Sequence, residues 1–324
     1  MHFPGRFADH IVADRLDRLS LSFLVDGLVV YRGGVGANIA FGMGVLGQRP
    51  VLVGSVGADF AEYRAALSAH GVECGEVRVV DRAHTPRFTC TTDDDQCQLA
   101  SFYPGAMTET RNIDLAPIVA RRGIELVLVG ATDPAAMVGH TRTARRLGVA
   151  FAADPSQQLP RLSGDECREL VDGARYLFCN EYEFELLLRK TGWDAAEITR
   201  RVGLRITTLG DKGVLVAGPD GIESHVGAVP ATSVVDPTGV GDGFRAGFLA
   251  GVGGGLEPVR AAQLGTLIAT LVLEVDGAQG WGIDAEADLA RLAAAHGTAA
   301  SAGIEPVLRA ALGHAPREPA GPAA

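Results

Sequence analysis

The chain has 324 residues, and its 42 glycines are about twice the usual share, yet its 16 prolines are ordinary and no Gly-X-Y period exists, which excludes collagen-like and low-complexity architectures. Apolar residues make up 47%, enough for a large core in one big domain or two small ones. The net charge is −10, with no basic run, which excludes nucleic acid as the main partner; of 29 basic residues only Lys190 and Lys212 are lysines, and neither stands in a P-loop or protein-kinase motif.

In chain order, MHFPGRFADHIV lacks a basic segment followed by an apolar one, so it does not read as a signal peptide. Residues 21–34 (LSFLVDGLVVYRGG) alternate like strands. VLVGSVG (51–57) reads as a buried strand, followed by helical periodicity over 58–70 with Gly71 as its stop. Residues 84–103 again read as alternating strands, turning at Asp93–Asp95. Strands are predicted at 125–131, 149–155, 174–180 and 204–210, and a helix over 134–147 with a Gly148 stop. Such alternation indicates an α/β sheet, mostly parallel and covered on both faces, with the two ribbons as a lid or dimer surface. The longest apolar stretch, 264–275, is too short for a membrane span, and the tail after Gly313 reads as disordered. Five cysteines without a C-x-x-C suit free thiols in a reducing cytosol.

Four segments carry chemistry. In RGGVGANIAFGMGVLG (32–47), Gly33-Gly34 permits close backbone approach and Asn38 projects from the first helical turn, or merely caps it. The run Gly42-x-Gly44-x-x-Gly47 matches the dinucleotide fingerprint by letter, but it lies within a helix, so its glycines read as close-packing residues. In CNEYEFELL (179–187), Asn180 and Glu183 share a helix face; they suit Mg²⁺ or a plain cap with a first-turn acid. In TTLGDKG (207–213), Thr208, Gly210 and Gly213 make a strand–turn–strand that can lie along a nucleotide or be an ordinary hairpin. In VVDPTGVGDGFRAGFLAG (234–251), a strand end precedes glycines at a helix start, whose N–H groups hold an anion, and Asp242 stands at its mouth as a proton acceptor; a bare turn with a first-turn acid is the plainer alternative.

In this order and spacing the segments resemble the ribokinase-like (PfkB-type) carbohydrate and nucleoside kinases. The signatures are Gly33-Gly34, Asn38, Gly47, Gly54 and Gly57; Asn180-x-x-Glu183; Thr208-Leu209-Gly210-x-x-Gly213; and Asp236-Pro237-Thr238-Gly239-Val240-Gly241-Asp242, covering about residues 3 to 296. FPGRF (3–7), SLSFLVD (20–26), RFTCTTD (87–93), ASFYPGAM (100–107), DPSQQL (154–159) and DPTGVGD (236–242) are most similar to the bacterial adenosine kinases of that family. Val240 stands where most members have Ala, which leaves a backbone anion hole intact.

The resemblance implies a three-layer α/β/α sandwich with a mostly parallel sheet and a small β-sheet lid. One kinase domain would span 1–312, with lid strands at about 21–34 and 84–104 and a tail at 313–324. It implies a cytoplasmic kinase that uses ATP and Mg²⁺ to phosphorylate the 5′-hydroxyl of adenosine to AMP, acting as a homodimer through the lid. Asp242 would be the base, with the N–H groups of Gly239, Val240 and Gly241 as the anion hole. Gly34 and Asn38 would bind ribose, Phe88 and Phe102 would stack on the purine, and Gln157, Gln158 and Arg161 would line the base and phosphate side. Asn180, Thr208, Gly210 and Gly213 would contact ATP, Asn180 and Glu183 would organise Mg²⁺ directly or through water, and Asp236 and Thr238 are candidates for a monovalent cation such as K⁺. A sugar or other nucleoside as acceptor, or an impaired member truncated at its start, are the alternatives. Family members begin with a V-x-G-S-x-x-x-D strand whose Asp grips the sugar; here the chain starts at Met1-His2-Phe3 without it, through either a start assigned about fifteen residues late or a missing core strand.

Overall fold

The computed structural model describes residues 1–10, 21–95 and 97–313. Helix α1 (Val35–Val45) is followed by β1 (Gly54–Gly57), a 3-10 turn, α2 (Ala61–Ala69) and β2 (Val77–Val80), which pairs parallel with β1. β3 (Arg87–Thr92) and β4 (Gln98–Tyr103) form an antiparallel ribbon. Then come α3 (Leu115–Arg122), β5 (Leu126–Val129), α4 (Pro134–Leu147), β6 (Ala150–Ala153), α5 (Gly164–Val171), β7 (Tyr176–Asn180), α6 (Glu181–Thr191), α7 (Ala195–Arg201) and β8 (Leu204–Thr208). The chain continues through β9 (Val214–Ala217), β10 (Glu223–Val226), α8 (Val240–Gly253), α9 (Pro258–Leu273), α10 (Ala285–His296) and α11 (Thr298–Leu312).

The main sheet has the order β10-β9-β8-β7-β6-β5. β5 to β8 run parallel, and β9 and β10 add an antiparallel edge. Its strands bury alternate residues on opposite faces. Phe151, Ala153, Leu177 and Cys179 meet Met137, Leu170, Leu187 and Ile198 from α4 to α7. Ala152, Tyr176, Phe178 and Ile206 meet Ile39, Phe244 and Phe248 from α1 and α8. A side chain as enclosed as Leu177 contributes roughly 1.5–3 kcal/mol by leaving water. Helix starts are capped by nearby side chains, as at Asp133 before Pro134, whose carboxylate accepts the Ala136 N–H at 3.1 Å.

Three expectations are corrected. Residues 21–34 form no strand: Gly27 alone bridges His2, and Leu24 and Val30 are 88% and 84% exposed. An alternating pattern needs a neighbouring strand as well as its own period, and among the described residues none pairs with it. The strand expected at 51–57 is regular only over β1, with a single bridge from Val51 to Glu73. Val234 and Val235 make no strand end; the Val235 N–H donates to Leu273 O instead. The ribbon at 84–103 is present as expected, and the N-terminal residues dock against it, with Phe3 N–H donating to Thr92 O at 2.9 Å. The expected tail at 314–324 lies outside the described residues, as does the start of the 20–26 run.

β1 belongs to a two-stranded sheet and β5 ends the main sheet, so each has an unpaired edge among the described residues. A cavity of about 3720 Å³ opens there, bounded by residues 51–56 and 126–131 and running to the N-terminal end of α8. No helix of the described residues is long and apolar enough to cross a membrane.

Much of the glycine excess allows helices to touch. A Cβ on Gly42 would stand 2.6 Å from that of Ala246, and one on Gly247 would stand 2.8 Å from Gly265 Cα. These contacts bring α1, α8 and α9 together backbone to backbone. Gly247→Val should therefore destabilise the fold by about 1–3 kcal/mol, whereas Gly139→Ala, in open space on α4, should be neutral or stabilise by up to about 1 kcal/mol. Urea midpoints check this; equal effects of the two changes would contradict it.

Candidate active site

Helix α8 begins in a turn held from both sides by Asp236. One carboxylate oxygen accepts the Thr238 N–H at 2.8 Å and the other accepts the Gly277 N–H at 3.1 Å. Gly239 then caps the helix at φ 81°, with Ala278 Cβ 2.4 Å from where its own Cβ would be. Both facts demand glycine. The first-turn N–H groups have no partners within the helix, that of Val240 reaching back to Pro237 O at 3.4 Å, and Gly239, Gly241 and Asp242 line the cavity at the positive end of the macrodipole.

Asp242 is half-buried in that first turn. Its Oδ2 accepts a hydrogen bond from Asn38 Nδ2 at 2.8 Å. Asn38 Oδ1 in turn accepts from Gln279 Nε2 at 2.9 Å, which also reaches Tyr63 Oη at 2.6 Å; that hydroxyl donates to Gly33 O. Asn38 therefore has a fixed amide orientation, and its donor side faces Asp242. Removal from water pushes the Asp242 carboxyl up to about 6, against the opposing pull of the Asn38 bond and the Arg245 charge. The same loss of water pushes the Tyr63 phenol up to about 12.

One turn further, Arg245 is buried against Asp154, with Nη2 to Oδ1 at 2.6 Å and Nη1 donating to Gly241 O at 2.9 Å. Asp154 immediately follows β6 and leads into the 3-10 segment Ser156–Arg161. Gln158 there is buried, while Gln157 and Arg161 are exposed at the cavity. Asn180 and Glu183 form a reciprocal cap at the start of α6, each side chain accepting the other's backbone N–H, at 2.8 and 2.9 Å. Burial raises the Glu183 carboxyl. The cap accounts for one Glu183 oxygen, so the pair works structurally whatever else it holds.

Phe88 and Phe102 lie opposite each other in the ribbon register and so share one face. They are 67% and 49% exposed, and both line the cavity. Gly34, Asn38, Gln157, Gln158, Arg161, Asn180, Glu183, Thr208, Gly210, Asp236, Thr238, Gly239, Gly241 and Asp242 line it too. Two expected residues do not. Gly213 is a turn residue pressed against Val226 O, and the Val240 side chain packs on the core, leaving only its backbone at the helix end. Tyr63, Gln279, Asp154 and Arg245 were not singled out as site residues. Only two carried a signal: a charge ending a buried parallel strand, and a charge within an apolar helix.

The donor set limits what can bind. Among the described residues no three His, Cys, Asp or Glu side chains cluster as a metal cage. A lone carboxylate at Glu183, lining the same cavity as the positive end of α8, suits Mg²⁺, which keeps water and takes phosphate oxygens as ligands.

The description "pfkB family carbohydrate kinase" matches residues 8–285. A nucleoside kinase of Methanothermobacter thermautotrophicus is 30% identical over 76% of this chain and 80% of its own length. The solved structure of Burkholderia thailandensis nucleoside kinase in complex with inosine superposes with a TM-score of 0.81 at 34% identity, covering 92% of this chain and 95% of that one. A ribokinase from Cryptococcus neoformans in complex with ADP has a TM-score of 0.71 at 23% identity, covering 90% and 94%, and shares the fold.

The raised Asp242 carboxyl has a cost. Its folded value of about 6 lies above the ordinary 3.8, so the folded state resists ionisation. Stability is lost as pH rises from 3.8 through about 6, by up to about 3 kcal/mol. Asp242→Asn should therefore raise the urea midpoint at pH 8 and leave it little changed at pH 4. An equal difference at both pH values would contradict a desolvated carboxylate.

Proposed function

Because the chain belongs to the pfkB family of carbohydrate kinases, we propose that it transfers the γ-phosphoryl of ATP to the 5′-hydroxyl of a purine nucleoside, with adenosine giving AMP as the leading reaction. One observation carries the choice of acceptor. The ribbon presents Phe88 and Phe102 on one face to the same cavity that holds Asp242 and the α8 N-terminus. Two exposed rings suit a flat base, whereas a free sugar needs polar walls. Nucleoside kinases among the relatives, one of them seen with inosine, support the same reading.

Asp242 takes the proton from the acceptor hydroxyl as its oxygen bonds to phosphorus and the bond from phosphorus to the β–γ bridging oxygen breaks. The N–H groups of Gly239, Val240 and Gly241 receive the charge on the transferring phosphoryl. Gly34 and Asn38 orient the ribose, so Asn38 would exchange part of its Asp242 contact for a sugar hydroxyl. Gln157, Gln158 and Arg161 close the far side. With ATP as the phosphoryl donor, Asn180, Thr208, Gly210 and Gly213 would lie along the nucleotide, and Asn180 and Glu183 would hold Mg²⁺ directly or through water, which when bound would offset the phosphate charge. Both Asp236 oxygens accept backbone N–H groups yet keep lone pairs for a monovalent cation such as K⁺, shared with Thr238.

ADP release measured with adenosine, inosine, ribose and fructose tests the acceptor. Adenosine should exceed both sugars in kcat/KM by about a hundredfold or more. Turnover of a sugar with none on nucleosides would overturn it. Since the base must be ionised, kcat/KM should fall about tenfold per pH unit below about 6 and level off above. Asp242→Asn should cut kcat by about a thousandfold with little change in nucleoside affinity. A near-normal kcat would refute the assignment.

A further inference from the structure

On the phosphoryl-transfer reading above, we propose that Arg245 and Asp154 form a positioning pair. Arg245 clamps the cavity-facing segment Ser156–Arg161 onto the first turn of α8 and presents its positive charge to Asp242.

The geometry is specific. Arg245 and Asp154 are 6% and 0% exposed, and the guanidinium reaches both Asp154 and the carbonyl of Gly241, an anion-hole residue. The pair joins residues 91 apart in sequence, one on the helix that carries Asp242 and one at the mouth of the loop that carries Gln157 and Gln158. As a stabilising device it is a poor choice. Arg245 Nε, Asp154 Oδ2 and Gln158 Oε1 are buried without hydrogen-bond partners. A buried ion pair with orphaned atoms is generally no more stable than an apolar pair of the same shape. The loop it holds is also strained. Ser156 is the one non-glycine of the described residues in the left-handed region, at φ 45°. Such a conformation persists only where its surroundings over-determine it.

The charge has a direction. Asp242 meets Arg245 from its own helix, Asp154 from the end of β6 and the Asn38 amide from α1. Tyr63 on α2 feels the Asp242 charge, and Glu183 on α6 faces both Arg245 and Asp154. At both Asp242 and Glu183, Arg245 outweighs Asp154, so the pair acts as a dipole with its positive end toward the carboxylates.

The test compares Arg245→Met, Arg245→Lys, Asp154→Asn and the double variant Asp154→Leu/Arg245→Met with the parent. Two readouts are taken: steady-state kinetics with adenosine and ATP, and the pH titration of the Asp242 carboxyl carbon by NMR, assigned with Asp242→Asn. Arg245→Met and the double variant should lose about a hundredfold in kcat and titrate Asp242 at higher pH. Arg245→Lys should restore the titration. The double variant should equal or exceed the parent in urea midpoint while staying slow, which a merely structural pair would not do. A folded double variant with kcat within about threefold of the parent and an unmoved Asp242 titration would overturn the proposal. Should the double variant fail to fold, an unmoved titration in Asp154→Asn and Arg245→Met would overturn it equally. The titration needs no acceptor: a parent that phosphorylates nothing sinks the kinase reading, while the carboxyl still decides on the pair.

Discussion

A carboxylate drawn out of water at the positive end of a helix governs this molecule. Asp242 can accept a proton only as an ion, and its site resists ionisation. The neighbouring elements each supply one compensation. α8 brings its macrodipole, α1 brings the Asn38 amide, and the following turn of α8 brings a guanidinium. The outcome is a base near 6, ionised at neutral pH yet far more basic than an exposed aspartate.

The architecture follows from holding that helix start still. Glycines at 42, 247 and 265 let α1, α8 and α9 approach to backbone contact, which places Asn38 within hydrogen-bond reach of Asp242. Asp236 ties the preceding loop to Gly277, and Gln279, two residues on, locks the Asn38 amide. The parallel strands deliver β6 so that Asp154 ends beneath Arg245. The ribbon is held by the N-terminal residues, with Phe3 N–H donating to Thr92 O and Phe7 N–H to the Asp93 carboxylate, and it leaves Phe88 and Phe102 exposed at the cavity.

How much of this was legible in the sequence depended on whether the determinant was local. The helix over 134–147 could be read to its ends because Asp133, Pro134 and Gly148 act within a turn of it. The helix start at 239–242 was legible for the same reason, since glycines followed by a first-turn acid mark a helix start whatever that start binds. The 21–34 strand was misread because a strand is decided by its neighbour, and no neighbour is visible in a period of two. The partnership of Asp154 and Arg245 spans 91 residues, so each shows only as a charge in an apolar setting and neither names its partner. Gln279 carried no signal: a single amide acquires its role only when folding sets it between Asn38 and Tyr63. Gly213 also has a role that the sequence does not show: at φ 97° a Cβ there would stand 2.1 Å from Val226 O.

Asp242 is an ionisable carboxylate held away from its ordinary acidity by its place in the fold. Direct NMR titration of its carboxyl carbon in the unmodified protein tests that most plainly. The structure predicts a midpoint of about 6. A midpoint near the ordinary 3.8 would show a solvated carboxylate and would contradict the account.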